Sequence, residues 1–427
     1  MEFPRSRSES VQFILNAARL RAGNKALKVE RVRSCVAYRL HSVEVGVSKV
    51  PVTPNKPVFL AGLGYGRLSE GVHDDLYARS FVLCEGSKTV ALVGVDSIGV
   101  MLNHVAPLKE RLSAKGIALF LCSTHDHSSP DTIGLWGPEP GVSGFDEEYM
   151  ELLLSGVEEA VEKALEEVKK TTLELGSTAL PCGAAKNTRK TDLLDREISY
   201  MVARSGGRAL GTLVNFGLHP EVLWRDNRLV TADFVHYLCL ELERELGGIA
   251  VFLNGALGGM VTPDVSSHTF EEAERVGRTI ARAILNSASR TRPRVEAACE
   301  LALASKLVEL PVHNTLLTEA ARAGIVKREV GDPPTLETEV SVLELRPFAR
   351  LAALPGEPLP DVGLRVKEML GAPYRLLTSL CNDEIGYIIG RDEWDPSRYE
   401  ESMSPGPLTC EILLSALSEI LQLLQRT

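Results

Sequence analysis

The chain has 427 residues, of which 44% are hydrophobic and 24% charged, so it is long enough and apolar enough to bury a large core. Its net charge of −10 provides no broad basic field for nucleic acid. Eight cysteines are scattered without a Cys-x-x-Cys pair, which argues against a disulfide framework or a thiolate zinc site and for buried, reduced thiols.

Met1 to about His41 is basic and carries one broken apolar segment, Ser8–Ala22, able to form a short amphipathic helix. Residues 1–42 are therefore read as an N-terminal extension and 43–427 as a catalytic domain. Glu44 to Val52 alternates as a strand does and ends at the turn Thr53-Pro-Asn-Lys-Pro57. The segment Ala61-Gly-Leu-Gly-Tyr-Gly66 lacks the spacing of a dinucleotide fingerprint and suits close approach of another chain segment. Strands are expected at Ser80–Glu85, Thr89–Val95 and Ala118–Cys122. A helix from His104 to Lys115 between the last two predicts a parallel crossover.

Asp146 to Lys170 reads as an amphipathic helix with a solvated charged face. Further strands are expected at Leu173–Leu180, Ile198–Arg204, Ala209–Phe216, Ile249–Leu253, Cys299–Val312, Val342–Arg346, Ala349–Leu354 and Arg375–Leu380. Helices are expected at Phe234–Leu246, Phe270–Ser287, Leu316–Val326, Leu364–Leu370 and Leu408–Gln425. The fold class is α/β: one large layered domain with mixed β-sheets flanked by helices and a metal site at the strand ends.

The chemistry concentrates where strands stop. The Ala118–Cys122 run ends in His125-Asp-His127, and the i, i+2 spacing puts both imidazoles on one side of an extended backbone. Neutral imidazole is the commonest protein ligand for zinc. A second strand ends at His219, a third at Glu357, and a fourth runs into Tyr387. Two histidines, a carboxylate and a further oxygen donor around an open position form a catalytic rather than a structural zinc pattern.

The ordered set Gly-Val-His73-Asp-Asp-Leu-Tyr77-Ala-Arg79, Thr-His125-Asp-His127-Ser, Asn-Phe-Gly-Leu-His219-Pro, Gly-Met-Val-Thr262-Pro, Pro-Gly-Glu357 and Asn-Asp-Glu-Ile-Gly-Tyr387 resembles the catalytic domain of the neutral/alkaline non-lysosomal ceramidases. The resemblance runs from about Glu44 to about Ser404. It implies a zinc-dependent hydrolase that cleaves an N-acyl (amide) bond by metal-activated water or hydroxyl attack. Its substrate would be a small acyl amide or a lipid-like molecule. It implies His125, His219, Glu357 and Tyr387 as zinc ligands, His127 as a substrate or transition-state contact, Arg189 near the substrate, and Tyr399 as an oxyanion donor. The family's Gly-Asp-Val-Ser-Pro reads Gly259-Met260-Val261-Thr262-Pro263 here, so Thr262 stands for the catalytic-type serine and retains a hydroxyl. Alternatives of the same fold are a metal- or ligand-binding member with altered catalysis, or an esterase or lactonase. Asp233 is open between orienting a ligand histidine and capping a helix. The family's C-terminal immunoglobulin-like domain has no counterpart in the chain, and with no secretory leader read at its start the expected location is cytoplasmic.

Overall fold

The computed structural model describes residues 38–41, 43–290 and 295–426. The expected helix at Ser8–Ala22 lies outside them. Three sheets surround one apolar centre. The first has five strands, in the order Ile117–Ser123, Lys88–Val95, Tyr77–Glu85, Glu44–Pro51 and Lys169–Lys170. Its Lys88–Val95 and Ile117–Ser123 strands are parallel and are joined by the Leu102–Ala114 helix, as the crossover expectation required. The second has six strands, in the order Ile249–Asn254, Arg208–Phe216, Glu197–Ser205, Thr172–Ala179, Tyr38–His41 and Val295–Ala298. The sheet thus takes in Tyr38–His41, which lies before the expected boundary at residue 43. The third has four strands: Glu300–Pro311, Thr335–Arg346, Ala349–Ala353 and Tyr374–Thr378.

Period-2 alternation explains the packing. Phe120 and Cys122 face the centre, together with Phe81, Leu92, Leu213, Val251, Leu343 and Leu376 from all three sheets. Leu119 and Leu121 face the opposite way, onto the Leu102–Ala114 and Glu147–Glu166 helices. A strand buried on both faces reads as a continuous apolar run, which is why Ala118–Cys122 carries no polar alternation. Each such Leu or Phe contributes roughly 1.5–3 kcal/mol on burial. Helices Asp233–Leu246 and Phe270–Arg290 cover the second sheet, and Pro360–Leu370 and Thr409–Arg426 cover the third.

Element bounds differ from expectation where a partner intervenes. The Glu147–Glu166 helix, capped by Asp146 through the Tyr149 N–H, stops short of Lys170 because Lys169–Lys170 pairs with Glu44–Val45. The helix expected to reach Val326 ends at Arg322, ahead of Gly324 with φ +71°. The strand expected from Val342 begins at Thr335, because its whole length pairs with Glu300–Pro311. No helix among the described residues is long and apolar enough to cross a membrane.

Gly46 sits where the first sheet meets its helix: a Cβ there would lie 1.8 Å from the Ala164 carbonyl oxygen. Gly46→Ala is expected to destabilise the fold by about 1–3 kcal/mol in urea unfolding. Gly86→Ala, at φ +59° with open space around it, is expected to cost no more than about 1–2 kcal/mol.

Candidate metal centre

The chain leaves the extended conformation after Ser123. His125 takes φ 66°, a left-handed value rare for a residue with a Cβ. The two imidazoles of the His-x-His pair do converge, with ring centroids 5.0 Å apart. They converge across a sharp turn, however, not along one face of an extended strand.

Both metal-type histidines are oriented by backbone carbonyls. His125 Nδ1 donates to Ile98 O at 2.6 Å, and His219 Nδ1 donates to Val261 O at 3.0 Å. A carbonyl only accepts, so both Nδ1 atoms carry a proton, and each ring when neutral presents a lone pair at Nε2. Those lone pairs face the same carboxylate oxygen: Glu357 Oε2 lies 3.4 Å from His125 Nε2 and 3.2 Å from His219 Nε2. A cation shared among these atoms, a proton or a metal, turns that contact from repulsive to attractive. Nitrogen and oxygen donors with fixed tautomers are the chemistry a zinc ion requires.

Electrostatics point the same way. Burial lowers His125 to about 4, against the charge of Glu357. Burial also holds His127 well below the usual histidine range, aided by its two histidine neighbours. For His219 burial is outweighed by the Glu357 hydrogen bond and the charges of Glu221 and Glu357, and its pKa rises. Burial would raise Glu357, but His125 and His219 overcome it and hold the carboxyl low.

Glu357–Pro358 pairs in parallel with Tyr387–Ile388, which sets Tyr387 beside Glu357. The Tyr387 hydroxyl faces Glu357 and lies 3.6 Å from Met260 Sδ. His127 stands opposite, buried, and among the described residues neither ring nitrogen has a hydrogen-bond partner. Gly62, with φ +88°, makes room for it: a Cβ there would lie 2.3 Å from His127 Nδ1. The glycine-rich 61–66 segment thus provides the close approach expected of it. Arg67 secures the same turn by donating to His127 O at 3.0 Å.

His125, His127, Glu357 and Tyr387 form the floor of an apolar cleft walled by residues such as Ile98, Met101, Leu135, Trp136 and Leu336, while His219, at 0% exposure, is not part of its lining. Tyr399, 55% exposed, lines it and lies 6.1 Å from Tyr387 between ring centroids.

Arg189 and Thr262 lie outside the cleft lining. The Arg189 guanidinium is held by Glu401 at 2.6 Å and Glu400 at 3.0 Å, and so fastens the one-turn helix Tyr399–Ser402. Thr262 approaches Glu221, although neither Glu221 carboxylate oxygen has a well-formed hydrogen bond. Asp233 touches no histidine ring. Its carboxylate accepts from Leu223 N and Phe234 N, while the N-cap position is Ala232 and carries no side-chain cap bond, so Asp233 ties the turn after His219 to the helix start and does not act as the plain cap.

Three buried residues near the site escaped the sequence. Glu221 is two residues after His219, and its Oε2 lies 3.7 Å from His127 Nδ1. Glu384 lines the cleft three residues before Tyr387. Asn254 ties the strand ends together. Its Nδ2 donates to Thr124 O and Leu218 O, both at 2.8 Å, and its Oδ1 accepts from Leu218 N and Gly255 N. A carboxylate at the ends of two strands is a visible signal for Glu221 and Glu384; an asparagine's clamping role has none.

Residues 44–270 match the family described as neutral/alkaline non-lysosomal ceramidase, N-terminal. Neutral ceramidases of Drosophila pseudoobscura pseudoobscura and Drosophila melanogaster are 24% and 23% identical over 229 residues, covering 47% of this chain and 32% of each relative. The match therefore spans about a third of those relatives' length. The neutral ceramidase structure from Pseudomonas aeruginosa superposes with a TM-score of 0.76 at 17% identity, covering 90% of this chain and 75% of that one. A ceramidase complexed with C2 superposes with a TM-score of 0.74 at 16% identity, covering 90% and 76%. At these identities the structural likeness establishes the fold.

Two measurements test the local account. Asn254→Asp keeps the shape but sets oxygen against two carbonyls, and is expected to lower unfolding stability by on the order of 3 kcal/mol or more. Unchanged stability would mean the clamp is idle. Burial raises Asp233 to about 7 despite its backbone hydrogen bonds. The unfolded state releases this proton near pH 4 and the folded state only near 7, so the contribution is present at low pH and is lost as pH rises through that window. Wild type is therefore expected to lose stability relative to Asp233→Asn between about pH 4 and 7, by on the order of a few kcal/mol, and to level off above that.

Proposed function

The chain belongs to the neutral/alkaline non-lysosomal ceramidase family of hydrolases, and on that premise we propose that it is a zinc-dependent enzyme cleaving the amide bond of an N-acyl, lipid-like substrate. One observation carries the reading: two histidines with carbonyl-fixed Nδ1 atoms aim their Nε2 atoms at one oxygen of Glu357, and His125 and Glu357 line an apolar cleft. On this reading the three-sheet unit, which takes in the Tyr38–His41 strand ahead of the expected boundary at 43, is the catalytic unit.

His125, His219, Glu357 and Tyr387 would hold the ion. A zinc ion, when bound, supplies Lewis acidity that polarises a carbonyl and makes water a stronger acid. The chain's own groups do the rest. The apolar walls accept an acyl chain and exclude water around the scissile amide. His127, neutral and with both ring nitrogens free of protein partners, is the group able to take or give a proton at the reacting atoms. Tyr399, at the cleft, donates a hydrogen bond to the oxygen that gathers charge. Arg189 acts at one remove, by holding the Tyr399 turn through Glu400 and Glu401. Thr262 retains the hydroxyl that the family resemblance links to catalysis, and in this chain it sits beside Glu221.

The test uses purified chain, zinc, and N-acyl-sphingosines of short and long acyl chain. Release of fatty acid is expected, with about one zinc per chain by plasma mass spectrometry. His125→Ala and Glu357→Ala should lose the zinc and the activity. His127→Ala should keep the zinc and lose about 10²–10³ in kcat. Zinc binding with no release of acid from any N-acyl amide would refute the amidase assignment.

A further inference from the structure

Glu384 is a buried carboxyl group that nothing above employs. It is 6% exposed and sits in the cleft wall. Its Oε1 accepts from Gly386 N at 2.6 Å, while its Oε2 is buried without a hydrogen-bond partner. The neighbouring cation is already engaged: Arg328 places both terminal nitrogens on Asp383 at 2.7 Å and gives Glu384 only a contact to its main-chain carbonyl. A carboxyl group left this way either keeps its proton or, as the anion, calls for a cation to meet it.

The surroundings hold Glu384 in place. Asp383 accepts further hydrogen bonds from Thr338 Oγ1 and Leu102 N. Gly99 opens the space, since a Cβ there would lie 2.9 Å from Glu384 Cβ and Cγ. The residue before it, Ile98, is the one whose carbonyl orients His125. One segment thus seats both side chains. A carboxylate oxygen of Glu384, a ring nitrogen of His125 and an oxygen of Glu357 all lie within 4.8 Å of one another.

We propose that Glu384 is a further carboxylate ligand of the metal site, so that two imidazoles are joined there by two carboxylates. This rests on the zinc reading above. A second hard oxygen donor also widens the range of ions the site accepts, towards manganese.

The experiment is chelator competition with Zn²⁺ alone and with Mn²⁺ alone, on the full chain, with circular dichroism as the check on folding. Glu384→Gln preserves the Gly386 contact through its amide oxygen. It is expected to weaken zinc binding by about ten- to a hundredfold, the range typical of groups that support a metal site, and to weaken manganese binding more. A purely structural Glu384 would leave both affinities at the wild-type value in the folded variant, and that result overturns the proposal. If Glu384→Gln does not fold, Glu384→Asp takes its place: a loss of affinity supports the proposal and none overturns it. Wild type that binds zinc while Glu384→Gln binds it equally well leaves the zinc reading intact. Wild type that binds no zinc overturns both.

Discussion

Asn254 is the constraint on which the site depends. It ends the Ile249–Asn254 strand at zero exposure, and every polar atom of its side chain is used. Its Nδ2 holds the turn before His125 and the turn before His219 at one distance, and its own carbonyl accepts from Ser379 N at 2.9 Å. Two other buried asparagines do the same between sheets. Asn215 joins the second sheet to Leu377 of the third, and Asn382 joins the 380–386 loop to Leu119 and Leu121 of the first. Sheets that meet only through apolar side chains can slide. Buried amides with all partners satisfied cannot, because any slip leaves unpaired polar groups in a dry core.

That rigidity lets the site carry strained backbone. Six non-glycine residues in the described chain have positive φ: His125, Trp224, Asp233, Met260, Leu380 and Asn382. Asp233 opens a helix and the other five fall in loops, where such strain persists only under over-determined packing. Those turns produce the electrostatic arrangement described above. His125 and His127 are kept neutral by burial, His219 is paired with Glu357, and the carboxylate is held in its charged form. A cation is the natural complement of that set, and an apolar cleft adjoins it.

Much of the fold was legible because burial writes itself into periodicity. Ala118–Cys122, Ile249–Leu253 and Ala349–Leu354 read as strands since both their faces are covered, and the helix between the first two parallel strands announced its crossover. The Thr335–Val342 half of its strand escaped because Glu337 and Glu339 interrupt the apolar run while one face is still buried. The site was partly legible. His125, His127 and His219 stood at strand ends, but Tyr387 came from the family resemblance and not from any pattern of its own. Glu221 and Glu384 carried a strand-end signal of their own, whereas Asn254 was hidden because its significance lies in which segments, far apart in sequence, it meets. Arg189 is instructive in the same way: its two carboxylate partners, Glu400 and Glu401, are more than two hundred residues away.

The central claim is that these strand ends form one metal centre, and anomalous diffraction from crystals of the zinc-loaded chain, recorded on both sides of the zinc edge, tests it most directly. The account predicts a single strong peak within bonding distance of His125 Nε2, His219 Nε2 and a Glu357 oxygen. A peak elsewhere with these three side chains still in mutual contact, or no peak from zinc-saturated protein, would contradict it.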